Sequence, residues 1–167
     1  IGYSLAVAIA GFLAARFSTR VVVSLSAFLV AGSMLLTGWA PSFEMVRWAR
    51  ALTGLGAGGV NVPAMGLVPS WFSAKRRGLA SGIAVAGSSL GLIVSGPLAP
   101  LLIAQNGPDE GWRISWYAFG GIALVIAILA AILLRDRPAQ LGLNPFGEAA
   151  PTTNAPFQPA SSLDWGL

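Results

Sequence analysis

The chain has 167 residues, of which 55% are hydrophobic and 10% charged, and its formal net charge is +4. A water-soluble domain carries roughly 25% charged residues, so this composition excludes a soluble globular enzyme, and the high apolar content excludes a disordered chain. Because histidine and cysteine are both absent, the sequence also excludes Ser-His and Cys-His catalysis and any zinc site built from these ligands. No metal site is predicted.

Five uncharged stretches divide the sequence, and four of them reach the ~17–25 residues that a membrane-spanning helix needs. The first stretch, residues 1–15, starts without Met and is shorter, so we interpret it as a helix whose beginning has been cut off. Hydrocarbon offers the backbone no hydrogen-bond partner, and the alternating pattern of a barrel is absent, so every stretch is predicted to be helical. The predicted spans cover residues 1–15, 21–39, 44–70, 78–105 and 113–134.

The basic residues fall mainly on one side of these spans. Seven of them follow the first, third and fifth spans: Arg16, Arg20, Lys75, Arg76, Arg77, Arg135 and Arg137. Arg47 and Arg113 lie on the opposite side. The positive-inside rule therefore predicts a multi-pass protein of the plasma membrane (the bacterial inner membrane), with residues 16–20, 75–77 and 135–167 cytoplasmic. Its predicted partner is the lipid bilayer rather than nucleic acid.

The second span carries four hydroxyl side chains, at Ser24, Ser26, Ser33 and Thr37. We interpret this span as scaffold that mostly faces lipid.

The third span holds an arginine and a run of glycines. The string from Gly54 to Gly59 satisfies the dinucleotide pattern G-x-G-x-x-G, but it lies inside a membrane span and Lys75–Arg77 follow where that pattern needs an acid. Gly54, Gly56 and Gly58 are instead predicted to allow close helix packing.

Arg50 lies about 9 Å inside this helix, counted from Glu44 at 1.5 Å per residue. Arginine in hydrocarbon is costly, so its side chain should face protein or a wet cavity, although snorkelling to the outer interface is an alternative. Asn61 follows eleven positions later, about three turns, and should share the same face. That face could line a pore or bind an anion.

The fourth span combines serines with small residues. Ser88 is a candidate for a polar substrate contact, although serines in helices often bond only to their own backbone. The glycines should make the helix smooth, and Pro97 should bend its outer third, which suits rocking between two conformations. The glycines selected in this span are Gly82, Gly87, Gly91 and Gly96.

The sequence thus predicts a partial transmembrane bundle over residues 1–137, followed by a linker. Residues 138–167 contain five prolines among scattered small polar residues and are predicted to form an exposed cytoplasmic linker with no core of its own.

Several of these segments resemble signatures of the major facilitator superfamily of secondary transporters. The run from Gly11 to Arg20 resembles the loop signature G-x-x-x-D-R-x-G-R-R between the second and third helices of that family. Arg50-x-x-x-Gly54-x-Gly56 resembles its fourth-helix motif, and residues 71–87 are similar to the start of the fifth helix in bacterial monocarboxylate and oxalate/formate members. Gly111-Trp112-Arg113 and Arg135–Pro138 also fit that group.

The resemblance implies an all-α membrane protein, in which the five spans are helices two to six of an N-terminal six-helix bundle and the first helix and the C-terminal half are missing. It implies alternating access, with the second, fourth and fifth family helices lining the cavity. Gly11, Arg16, Arg20 and Lys75–Arg77 would set topology and gate the inner side. The loop departs from the signature at Ala15, Ser18 and Thr19, and Ala15 replaces its acid.

The predicted function is therefore secondary transport of a small solute, with a small organic anion such as a monocarboxylate as the expected substrate. Arg50 is the predicted anion-binding or coupling group, with Asn61 and Ser88 as polar contacts. No cofactor is expected, and proton or sodium coupling and symport fit the resemblance. A passive channel and a membrane sensor that does not transport are the alternatives, whereas an intramembrane enzyme lacks an acid or base inside the spans.

Overall fold

The computed structural model describes residues 3, 6, 7, 9, 10, 12, 16–144, 146 and 147. The described part contains three long helices, α1 (Thr19–Trp39), α2 (Phe43–Trp71) and α3 (Arg77–Leu133), and a short 3-10 helix, Pro138–Leu141. The described residues among the first twelve are helical as well. Apart from one isolated bridge between Phe72 and Phe146, no β-structure occurs in the described residues. The prediction of an all-helical chain is confirmed.

The short connection between α1 and α2 follows from its sequence. Pro41 disfavours a helical conformation at Ala40, the residue before it, and α1 accordingly ends at Trp39. The Ser42 side chain then accepts a hydrogen bond from the Met45 N–H, which caps α2. The two helices therefore form a tight antiparallel hairpin.

The predicted fourth and fifth spans are joined in α3, which is 57 residues long. Gly107 interrupts its helical geometry with φ 81° and ψ 164°, a conformation that favours glycine because it has no Cβ. The helix thus consists of two limbs, 77–106 and 108–133. The outer connection predicted for residues 106–112 is reduced to one residue.

The sequence around this break explains why both limbs stay helical up to it. Pro108 starts the second limb, and proline is well tolerated in the first turn of a helix. Asp109 and Glu110 follow, and acidic side chains are favourable near a helix N-terminus. A Cβ on Gly111 would lie 2.5 Å from Ile103 Cα, so the glycine allows the second limb to fold back closely against the first.

Helix α1 lies between α2 and the 108–133 limb and contacts both. Gly56 of α2 packs against Val30, and a Cβ there would lie 2.7 Å from Val30 Cγ2. On the other side of α1, a Cβ on Gly120 would lie 2.7 Å from Leu35 Cδ2. Small residues bring these backbones together, as is typical of helices that pack within a membrane.

The 77–106 limb exposes most of its apolar side chains, including Leu92 and Ile93, which are 74% and 68% exposed. Each of the three long helices is long and apolar enough to cross a membrane. Such a surface would be a liability in water but is suited to hydrocarbon or to packing against further helices.

The connections between helices lie at the two ends of the bundle, and most basic residues lie at one of these ends, as the charge pattern predicts. We call the end formed by residues 16–20, 70–77 and 134–147 the basic end. At the opposite end, Arg113 Nη1 donates to the Gly38 carbonyl oxygen at 3.0 Å and joins the start of the 108–133 limb to the end of α1.

The start of the predicted linker is ordered against the basic end. Pro138 is buried, and Phe146 pairs with the end of α2 through hydrogen bonds of its N–H to the Trp71 carbonyl and of the Ser73 N–H to its own carbonyl. The Phe146 ring also lies edge-on to Phe72, with 6.1 Å between centroids. Proline-rich composition alone did not indicate these contacts. Residues 148–167 lie outside the described residues.

Candidate functional site

Arg50 occupies a polar cluster between α1, α2 and the 108–133 limb. Its Nη2 donates to Thr37 Oγ1 at 2.6 Å, and its Cζ lies 4.0 Å from the centroid of a Trp116 ring, a cation–π arrangement. The guanidinium therefore faces protein, as the cost of exposing it to lipid predicts. No carboxylate bonds to it within the described part of the chain, and its Nε is buried without a partner there.

Hydroxyl side chains of α1 form the other half of this cluster. Ser33 Oγ lies 2.7 Å from Thr53 Oγ1 of α2, and Ser33 and Thr37 are only 2% and 1% exposed. The interpretation of the second span as lipid-facing scaffold is wrong for this face, because its hydroxyls need polar partners that lipid cannot supply. The i, i+4 spacing of Ser33 and Thr37, which places both on one face, could have indicated it.

Asn61 and Ser88 line a common cavity of about 450 Å³. The remaining lining residues are small or apolar and come from all three helices: Ala27, Val30, Ala57, Val60, Ala64, Met65, Ala84, Ala123 and Ile126. Asn61 is the larger polar group, and its amide can both donate and accept hydrogen bonds. The cavity therefore combines an apolar wall with two polar contacts, as is typical of small-molecule sites.

Arg50 is not among the residues that line this cavity. Arg50 and the cavity nevertheless lie along one line of contact between the helices, which we call the seam. On α1, Thr37 beside Arg50 shares a face with Val30 and Ala27 of the cavity wall. On the 108–133 limb, Trp116 beside Arg50 shares a face with Ala123 of the cavity wall. Arg50 lies toward the opposite end of this seam, about 16 Å from Asn61 along the helix axis by the rise per residue. The structure thus brings Asn61 and Ser88 together and keeps Arg50 apart from them.

The predicted gating residues lie at the basic end, except Gly11, which is outside the described residues. Arg20 donates from Nε and Nη2 to the Ala131 carbonyl oxygen at 3.1 and 2.6 Å. Arg77 donates to the carbonyls of Phe72 and Pro69, both at 3.2 Å, and Arg76 lies over the Phe146 ring at 4.8 Å. Lys75 and Arg16 are exposed. The role of these residues in gating stays a prediction.

Asp136 is a residue that the sequence reasoning did not select. One carboxylate oxygen accepts the Arg20 N–H at 2.7 Å, and the other accepts the Ser18 hydroxyl. Desolvation raises the pKa of Asp136, but hydrogen bonds from Ser18, Arg20 and Gln140 and the charge of Arg20 lower it below its ordinary value overall. The signal in the sequence was an isolated acid among the basic residues of this end.

The glycines chosen for helix packing differ in their surroundings. A Cβ on Gly58 would lie 2.7 Å from Ala6 Cβ and 2.9 Å from the Tyr3 carbonyl oxygen, so α2 also packs closely on the N-terminal helical segment. Gly54 is half-buried. Four glycines predicted for packing or flexibility in the 77–106 limb have no described neighbour within 4 Å of such a Cβ: Gly82, Gly87, Gly91 and Gly96.

Packing at those four glycines stays a prediction, as does the bend at Pro97. The departure from helical φ and ψ angles inside α3 is at Gly107.

Comparison with known proteins identifies a family and several relatives. The family model of the Major Facilitator Superfamily matches residues 1–166. The chain is 33% identical to Monocarboxylate transporter 12-B of Danio rerio over 71% of its own length and 24% of the relative's. It is 33% identical to Monocarboxylate transporter 9 of Mus musculus over 84% of its length and 26% of that protein.

A bacterial relative is also similar. The chain is 27% identical to a probable sulfoacetate transporter of Cupriavidus necator, over 77% of its length and 29% of the relative's. It therefore spans about a quarter of the length of the curated relatives it matches.

Proposed function

Because the chain belongs to the Major Facilitator Superfamily, we propose that it is part of the N-terminal half of a secondary carrier that moves a small organic anion by alternating access. In this proposal the helical segment before α1, α1, α2 and the two limbs of α3 are five spans, equivalent to helices two to six of a twelve-helix carrier. The family match over residues 1–166 is the observation that carries the proposal.

The proposed substrate is a monocarboxylate or a similar small anion. Arg50 lies between α1, α2 and the 108–133 limb, away from the basic end that holds Arg20 and Arg77, and no described carboxylate bonds to it. A fixed positive charge in a low-dielectric seam favours an anionic ligand. The names of the relatives from Danio rerio and Cupriavidus necator, which specify monocarboxylate and sulfoacetate transport, support this class of substrate.

We further propose that Asn61 and Ser88 contact the substrate in their cavity. Carrier sites of this kind lie near the bilayer midplane, where two repeats meet, and rocking of one repeat against the other alternates access. The cavity is about three turns from Arg50 and lies between α2 and both limbs of α3. Arg50 would then attract or couple the anion at the outer part of the same seam.

The proposed orientation puts the basic end in the cytoplasm. The hydrogen bonds of Arg20 to Ala131 and of Ser70 to the Asp136 carbonyl join residues 16–20, 70–77 and 134–137 at one end. This grouping supports the positive-inside assignment, with the protein in the plasma membrane. The missing C-terminal half of the same carrier and the surrounding lipid are the proposed partners.

Transport of radiolabelled lactate and sulfoacetate into proteoliposomes tests the proposal, using the complete polypeptide that the reading frame encodes. We expect saturable uptake of at least one of these anions, none of glucose, and acceleration when the same unlabelled anion is preloaded. A carrier shows this counterflow because its binding site returns across the membrane with the unlabelled anion bound. Flux without saturation or counterflow would indicate a channel, and binding without flux a sensor; either result would contradict the carrier function.

A further inference from the structure

Helix α1 begins against a carboxylate that follows the end of α3, at the same end of the bundle. The first N–H groups of a helix have no partner within it, and Ser18, at the N-cap, makes no capping bond of its own. Asp136 instead accepts the Arg20 N–H at 2.7 Å and the Ser18 hydroxyl. A carboxylate at this position is favoured both by the charge-assisted hydrogen bonds and by the helix dipole.

A second link also joins the start of α1 to the end of α3, and the donor again belongs to α1. The Arg20 guanidinium donates twice to the Ala131 carbonyl oxygen, at 3.1 and 2.6 Å. Ala131 lies in the last turn of α3, where carbonyl oxygens have no partner within the helix. The Ser70 hydroxyl at the end of α2 also donates to the Asp136 carbonyl oxygen at 3.3 Å. Three helix ends therefore meet at Asp136.

The sequence of residues 11–20 lacks an acid that the family signature has at this end of the bundle. The family signature that residues 11–20 resemble has an acid where this chain has Ala15, so the loop itself supplies none. Among the described residues, Asp136 is the sole acidic side chain at the basic end, since Glu44, Asp109 and Glu110 lie at the opposite end. The loop has no acid of its own, but Asp136, which lies 116 residues from Arg20 in the sequence, places a carboxylate beside it.

We propose that Asp136 is a positioning residue that supplies the loop 16–20 with the carboxylate missing at position 15, so that the start of α1 and the end of α3 move as one unit. The inference rests on the proposed carrier function, in which these ends belong to one rocking half. Its lowered pKa keeps Asp136 ionised at neutral pH, so the hydrogen bonds are charge-assisted under working conditions. Asp136 is not expected to touch the substrate.

The test compares Asp136→Ala with Asp109→Ala in the complete polypeptide, with lactate and sulfoacetate as probes. Asp136→Ala is expected to lower the maximal uptake rate about fivefold and to leave the half-saturating concentration unchanged, because a loose loop alters the conformational change rather than binding. Asp109 is an exposed acid at the opposite end of the bundle, and Asp109→Ala should leave uptake unchanged.

Rescue distinguishes positioning from a general loss of stability. Ala15→Asp added to Asp136→Ala restores the carboxylate where the family signature has it and is expected to recover at least about half of the lost rate. Unchanged uptake in Asp136→Ala would overturn the proposal. So would a loss that Ala15→Asp does not reduce while the protein remains folded by its elution profile and melting curve.

A second measurement keeps this inference separate from the proposed function. If the unsubstituted protein transports neither anion, the carrier proposal fails, but the Ser18–Asp136 contact can still be tested in membranes. Ser18→Cys with Asp136→Cys is expected to form a disulfide on mild oxidation, and Ser18→Cys with Asp109→Cys is not. Residues 1–167 contain no native cysteine, and any other cysteine of the complete polypeptide would be replaced by serine. Absence of the first cross-link would overturn the positioning role.

Discussion

Replacement of Arg50 by Gln is expected to raise the concentration of lactate or sulfoacetate needed for half-maximal uptake by about ten- to a hundredfold, since a hydrogen bond to a charged group contributes about 1.5–3 kcal/mol. Arg50 has Thr37 and Trp116 as partners but no described carboxylate. Gln keeps a donor for Thr37 and removes the positive charge that would attract the anion. Uptake in proteoliposomes over a range of substrate concentrations measures the effect.

Arg47→Gln is the matched control, because Arg47 lies one turn earlier on α2 and is exposed at the helix end, where it pairs with Glu44 at 2.7 Å. Exposed ion pairs contribute little, so this variant should transport normally. Arg50→Lys keeps the charge but loses the planar stacking on Trp116, and an intermediate affinity is expected. Unchanged uptake and pH dependence in Arg50→Gln would remove Arg50 from the mechanism.

Gly56→Ala is expected to destabilise the bundle by about 1–3 kcal/mol, the usual cost of overpacking a tight contact. The new Cβ would lie 2.7 Å from Val30 Cγ2, 2.8 Å from the Ser26 carbonyl oxygen and 3.0 Å from the Val30 N. Two of these three atoms belong to the backbone of α1, which cannot move aside as a side chain can. The variant should melt at a lower temperature in detergent and show less folded protein.

Gly66→Ala provides the control on the same helix, because no described residue lies within 4 Å of a Cβ at that position. Alanine favours the helix over glycine, so this substitution should be neutral or slightly stabilising. Equal melting temperatures for the two variants would mean that α1 and α2 do not approach each other as closely as the structure indicates.

Much of the fold follows from hydropathy. The predicted spans 21–39 and 44–70 differ from α1 and α2 by no more than two residues at each end, because the thickness of the membrane sets the length of a mainly apolar spanning helix. The continuity of α3 was not predicted. Charged residues near Asp109 suggested a loop, but a single glycine with positive φ suffices for the reversal.

The candidate site was only partly readable from the sequence. Helical spacing placed Arg50 and Asn61 on one face, and the structure has both along the same seam. The spacing of residues within one helix does not show which residues of another helix face them. The sequence therefore indicates lipid around Ser33 and Thr37, and it does not connect Trp116 with Arg50. Asp136 was missed for the same reason, since its partners Ser18 and Arg20 are remote in sequence.

The most direct measurement of alternating access uses a cysteine at Ala84, which lines the cavity with Asn61 and Ser88. The thiol would be exposed to a membrane-impermeant reagent in right-side-out and in inside-out vesicles, with other cysteines of the complete polypeptide replaced by serine. The account predicts labelling from both sides, slowed in each case by saturating lactate or sulfoacetate. Labelling from one side alone, or labelling that neither anion slows, would contradict it.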